Sequence, residues 1–115
     1  MKIETVFISV NARDFSAQSQ WWSTLLERKW DREPMTSCHE WDLTDSALFQ
    51  VLDNAEESGA ATVTLHITDL DAHIARLRRE GIDVSDPVYV EGFESLRFSQ
   101  FEDPEGNKVG LLEGA

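Results

Sequence analysis

The chain repeats itself. Val6, Ile8 and Val10 alternate with Phe7, Ser9 and Asn11, the period of a strand with two unlike faces. Asp14 then opens DFSAQSQWWSTLLE, whose apolar positions Phe15, Trp22, Leu25 and Leu26 fall at helical spacing, with Asp14 placed to cap the helix. Further on, Val63, Leu65 and Ile67 alternate with Thr62, Thr64 and His66. Asp69 opens DLDAHIARLRREG, with Leu70, Ile74 and Leu77 on one face and Gly81 as the stop. Superposing Asp14 on Asp69 lays strand on strand and helix on helix, so the chain is an internal duplication.

Three short β-like runs follow each helix. The first set covers roughly Lys29 to Thr36, His39 to Leu43 and Ala47 to Leu52. The second covers roughly Ile82 to Val90, Ser95 to Glu102 and Lys108 to Leu112. Asp45-Ser46 and Pro104-Glu105-Gly106 supply the turns of the last hairpin in each set. The small, acidic stretch Asp53 to Ala61 has the composition of a linker. The pattern is βαβββ twice, an α+β fold with module one at residues 1–57 and module two at 58–115. Neither half is large enough to cover its own sheet, so a single domain with a shared core is expected.

Charge narrows the partners. Asp and Glu number 22 against 10 Lys and Arg in 115 residues, a formal charge of -12. Nucleic-acid affinity rests on Lys and Arg releasing counterions, so a phosphate backbone is excluded as a partner, and an anionic membrane surface with it. A neutral or cationic ligand suits the charge better. The lone cysteine, Cys38, cannot form an internal disulfide or a thiolate cluster. The opening MKIETVFISVN has no signal-peptide core and no run is long enough to span a bilayer, so a cytoplasmic setting is expected.

Three segments resemble the vicinal oxygen chelate superfamily, which includes glyoxalases, bleomycin-resistance proteins and extradiol dioxygenases. FEDPEGNKVGLLE, Phe101 to Glu113, is similar to that family's closing hairpin of Asp-Pro-x-Gly-Asn and an alternating strand. Asp14 followed by Trp21-Trp22 and Leu25-Leu26 is similar to its opening helix, and Thr64 to Val84 to its second strand-helix unit. The resemblance implies two βαβββ modules whose sheets curl around a cleft. In members that do metal chemistry, it also implies ligands on the first and last strand of each module. Those places fall here on Phe7, Gln50, Thr62 and Gly110. Phe and Gly offer no side-chain donor, Thr is a poor one, and Gln alone does not hold a metal. Neither a metal nor another cofactor is therefore expected, and metal-dependent catalysis is disfavoured.

If Phe7 faces the implied cleft, alternation brings Ser9 with it, and Thr62, Thr64 and His66 in the repeat. Pairing across the DPEGN turn sets Gln100 opposite Gly110, with Phe98 beside it. A two-residue Asp45-Ser46 turn sets Trp41 opposite Gln50, which brings Trp41 and His39 inward. Glycine at position 110 leaves volume for a guest. Phe93, in the loop VEGFESL, is either the aromatic tip of a lid or part of an exposed turn, and is counted with the wall on the first reading. The expected ligand wall is thus Phe7, Ser9, His39, Trp41, Gln50, Thr62, Thr64, His66, Phe93, Phe98, Gln100 and Gly110.

The wall mixes aromatics with neutral hydrogen-bonding groups, as small-molecule pockets do. Trp22 belongs to the buried helical stripe, while Trp21 and Trp30 suit either core or dimer surface. No acid–base pair faces the cleft, so no catalytic residue is assigned. The expected function is a metal-independent small-molecule-binding protein that works as a homodimer, its acidity with Trp41 and Phe93 suiting a cationic or aromatic guest. The alternative is a lyase or isomerase in which His66, or a carboxylate such as Glu102, moves a proton. A divalent metal held by His39, His66 and Glu113 is the other alternative. It requires His66 and Glu113 to converge, which the repeat alignment does not lead one to expect.

Overall fold

Asp14 caps the first helix as its position implies, its Oδ1 accepting from the Ala17 amide at 3.1 Å. The computed structural model describes Met1–Ala115 and divides into two compact units. Unit one comprises Met1–Ala61 with Pro104–Gly106, and unit two the remainder. In unit one, β1 (Val6–Ala12) leads to α1 (Phe15–Leu26), then to β2 (Arg32–Met35), β3 (Cys38–Thr44) and β4 (Ala47–Asp53). A single 3-10 turn, Ala55–Glu57, occupies the acidic stretch. In unit two, β5 (Thr62–His66) leads to α2 (Leu70–Arg79), β6 (Val88–Tyr89), β7 (Arg97–Glu102) and β8 (Lys108–Glu113).

Each unit carries one four-stranded sheet, ordered β1-β4-β3-β2 in one and β5-β8-β7-β6 in the other. First and last strands pair in parallel and the rest antiparallel. Parallel neighbours need a crossover, which the helix supplies in each case. The two βαβββ patterns read from the sequence are therefore real structural repeats.

In unit one, Trp22 and Leu25 of α1 are buried, and Trp22 lies 4.2 Å from Phe49 between ring centroids. Val10, Ala12, Trp41, Phe49 and Val51 complete that core with no exposed surface. Apolar side chains withdrawn this fully contribute about 1.5–3 kcal/mol each. In unit two, Leu70, Ile74 and Leu77 of α2 are buried along with Val63, Phe101, Val109 and Leu111. No helix is long and apolar enough to cross a membrane.

Two elements differ from their sequence patterns. Asp69 does not cap α2: it stands in the left-handed region at φ 59° and its side chain makes no capping bond. Glu113 does the work from β8, its Oε2 accepting from the Leu70 amide at 2.7 Å. Arg97 holds that carboxylate, with Nη2 2.7 Å from Oε1, and also pairs with Asp71. The strand expected over Ile82 to Val90 shrinks to Val88–Tyr89. The Val84 carbonyl is taken by the Arg78 guanidinium at 2.8 Å, and Pro87 has no N–H to give a ladder.

Candidate functional site

In each unit the helix covers one sheet face, and the other mixes polar with apolar side chains. On the face of unit one turned away from α1, Ser9 of β1 neighbours Gln50 of β4, and Gln50 neighbours Glu40 of β3. Phe7 lies two residues before Ser9 on the same side and is 56% exposed. A continuous row of hydrogen bonds crosses the strands. Ser9 Oγ is 2.7 Å from Gln50 Oε1, and Gln50 Nε2 is 2.6 Å from Glu40 Oε2. Arg32 closes the row, with Nη1 3.2 Å from Glu40 Oε1 and Nη2 2.6 Å from Asp42 Oδ2.

Glu40 stands where Trp41 was expected. The Asp45-Ser46 turn is there, with Thr44 opposite Ala47, but the register shifts between Asp42 and Thr44. Leu43 is the extra residue of a bulge. Side chains alternate along a strand, so one inserted residue exchanges the faces beyond it. Trp41 pairs with Phe49, and His39 with Val51. Both belong to the helix side, which removes them from the expected ligand wall. The cation–π pairing of Trp41 with a guest goes as well, because Trp41 has no exposed surface. Its indole Nε1 donates to the Arg28 carbonyl at 3.0 Å.

His39 lies between Phe15, at 4.4 Å, and Trp30, at 3.6 Å and 8° from parallel. Its Nδ1 is 2.7 Å from Ser19 Oγ, and its Nε2 is 3.4 Å from Glu33. A carboxylate only accepts, so Nε2 carries the hydrogen and the Ser19 hydroxyl donates to Nδ1. Burial holds the imidazole below its usual range, with Glu33 opposing that shift. The row of serine, histidine and acid has the order of a nucleophile relay. However, Ser19 is 1% exposed and the imidazole is clamped between two rings, so no substrate reaches the hydroxyl.

In unit two the expected register holds: Gln100 lies opposite Gly110, and Thr64 beside Gly110 in β5. Thr62, Thr64, His66, Phe98, Gln100 and Gly110 therefore share the face turned away from α2. The volume expected over Gly110 is already occupied. A Cβ there would come 2.5 Å from Cε2 of Phe98, whose ring lies across the glycine. Phe98, Gln100 and Val88 line a depression of about 370 Å³. Phe93, 58% exposed, sits in the loop between β6 and β7.

A wider depression of about 880 Å³ lies at the start of α2, lined by His66, Asp69, His73 and Glu113 among others. The repeat alignment did not lead one to expect His66 and Glu113 together, yet they share it. His66 Nε2 is 2.9 Å from the Gly114 carbonyl, and the Glu113 carboxylate is held by Arg97 and Leu70. Arg97 and the Leu70 amide hold the Glu113 carboxyl below its usual range. His39, the third member of that alternative metal set, lies in the core of unit one.

The family's metal positions do not fit a metal. Phe7 has no donor, Gly110 lies under a phenyl ring, and Gln50 has its carbonyl committed to Ser9 and its amide to Glu40. Thr62 leaves one neutral hydroxyl, short of the three His or carboxylate ligands a catalytic metal generally needs.

Residues 6–112 match the glyoxalase-like domain family. The chain belongs to that family, and with it to the vicinal oxygen chelate superfamily. Among solved structures it is similar to a glyoxalase/bleomycin resistance protein from Catenulispora acidiphila, with a TM-score of 0.82 and 26% identity over 96% of this chain and 98% of that one. It is similar in fold to TnmS3, an antibiotic binding protein from Streptomyces, with a TM-score of 0.80 and 20% identity over 100% and 97% of the two chains. The oxidase ChaP-H2 has the same fold, with a TM-score of 0.81 and 17% identity over 100% and 96%. A comparison with curated proteins finds no match.

Proposed function

We propose that this chain is a metal-independent small-molecule-binding protein of the glyoxalase and bleomycin-resistance kind, acting as a homodimer. The observation that carries the reading is the face of unit one. It combines an exposed aromatic ring, Phe7, with an ordered polar row, and it puts phenylalanine and committed glutamine where a metalloenzyme needs ligands. An antibiotic-binding protein of the same fold supports a binding role. In unit two, Thr64, Phe98 and Gln100 with the exposed Phe93 offer the same mixture of ring and hydrogen-bonding group. Exposed Val6, Met35, Val88 and Tyr89 supply apolar surface for a second copy of the chain.

Elemental mass spectrometry on protein purified without chelator or histidine tag tests the first part, and substoichiometric metal is the expected result. Near-stoichiometric Zn, Ni, Fe or Mn overturns it. Sedimentation velocity tests the dimer. A second reading, proton transfer by His66, rests on that side chain lining the wide depression beside His73 and Asp69. His66→Ala separates the two, since a binder keeps its ligand affinity within a few-fold.

A further inference from the structure

We infer that the row Ser9–Gln50–Glu40 is a site of fixed hydrogen-bond polarity. It selects ligands that present an N–H or O–H donor beside an aromatic or other flat apolar group. The inference rests on the binding reading and names the ligand class for it.

The polarity is set from the inside outward. Glu40 is 7% exposed and paired with Arg32, and a carboxylate has acceptors only. The nitrogen end of the Gln50 amide must therefore face Glu40, at 2.6 Å, which turns its carbonyl oxygen toward Ser9. An amide flip is ordinarily open to choice, but here the carboxylate decides it. With the carbonyl oxygen 2.7 Å away, the Ser9 hydroxyl spends its one hydrogen on Gln50. Ser9 is exposed, and what it offers to an incoming molecule is lone pairs alone.

Phe7 is on the same side of β1, about 7 Å along the strand from Ser9. A guest that lies against the Phe7 ring thus meets an acceptor-only oxygen at its end. A hydroxyl, amide N–H or ammonium satisfies that oxygen. An ether or carboxylate sets lone pair against lone pair, and the formal charge of -12 further disfavours the carboxylate. Within Ser9, Gln50 and Glu40 the remaining donor is the second Nε2 hydrogen of Gln50, which lies beside the Glu40 carboxylate.

The test uses three probes with one ring system: naphthalenemethanol, its methyl ether and naphthoate. Each is titrated into the full chain and followed by NMR at the Phe7 and Ser9 amides and the Gln50 side-chain amide. The alcohol is expected to bind about fivefold tighter than the ether, the worth of one net hydrogen bond. Ser9→Ala is an exposed change that leaves the fold intact. It is expected to erase that preference, weakening the alcohol and relieving the ether of its lone-pair clash. Glu40→Gln frees the Gln50 amide to turn and is expected to narrow the preference too.

Equal affinity for alcohol and ether at these resonances overturns the polarity and leaves small-molecule binding standing. Shifts confined to other parts of the chain overturn the site itself while keeping a binding protein. No shift anywhere with any probe overturns the polarity site and counts against the binding reading as well.

Discussion

The imidazole of His39 lies 3.6 Å from the indole of Trp30, ring centroid to ring centroid, and 8° from parallel. Phe15 covers its other face and Ser19 holds Nδ1, so the ring sits neutral in a dry slot. In the unfolded chain the same imidazole is free to take a proton near its ordinary value of 6.5.

That difference gives unit one an acid-sensitive core. Burial lowers the folded-state value, so between it and 6.5 the unfolded chain binds more protons than the folded one. Stability is fully present above 6.5 and falls as pH drops through 6.5 toward the lowered value. Thermal unfolding followed from pH 8 to pH 5 is expected to show that decline, and His39→Phe to flatten it.

Trp41 is a packing residue. Its ring lies 5.6 Å from Phe49 and 6.0 Å from Trp30, with no exposed surface. Trp41→Ala is expected to cost about 3–5 kcal/mol of stability in urea unfolding. Trp41→Phe is expected to cost less, mainly by leaving the Arg28 carbonyl without its donor.

The Phe98 ring occupies the space a Cβ at position 110 would take. Gly110→Ala brings a methyl against the ring and is expected to destabilise by about 1–3 kcal/mol. Combining it with Phe98→Ala should cost less than the sum of the two single changes, because the clash disappears with the ring. A double-mutant cycle measures that coupling.

Glu113 is the device that starts α2. With Arg97 and the Leu70 amide holding its carboxyl low, the cap is fully present above the ordinary value of 4.5 and is lost only as pH falls through the lowered folded value. Glu113→Ala is expected to speed amide exchange at Leu70 and in the first turn of α2, with little change in unit one.

The duplication, the order of elements in each module and the buried faces of both helices were all legible in the chain, because apolar periodicity and punctuation are local properties. The pairing of Gln100 with Gly110 was equally legible, since the DPEGN turn joins β7 to β8 without an inserted residue. The face of β3 was not. A bulge at Leu43 depends on how two strands settle against each other, and no local pattern marks it. That one residue moved Trp41 and His39 into the core and brought Glu40, unnoticed in the sequence, into line with Gln50 and Ser9. The cap of α2 was hidden for a similar reason: Glu113 lies more than forty residues beyond Leu70, and only folding brings them together. Local patterning was enough to specify the fold class and to put Phe7 and Gly110, which have no side-chain donor, at two of the expected ligand places. Tertiary structure decided which side chains share a face, because register and long-range hydrogen bonds exist only once the strands are paired.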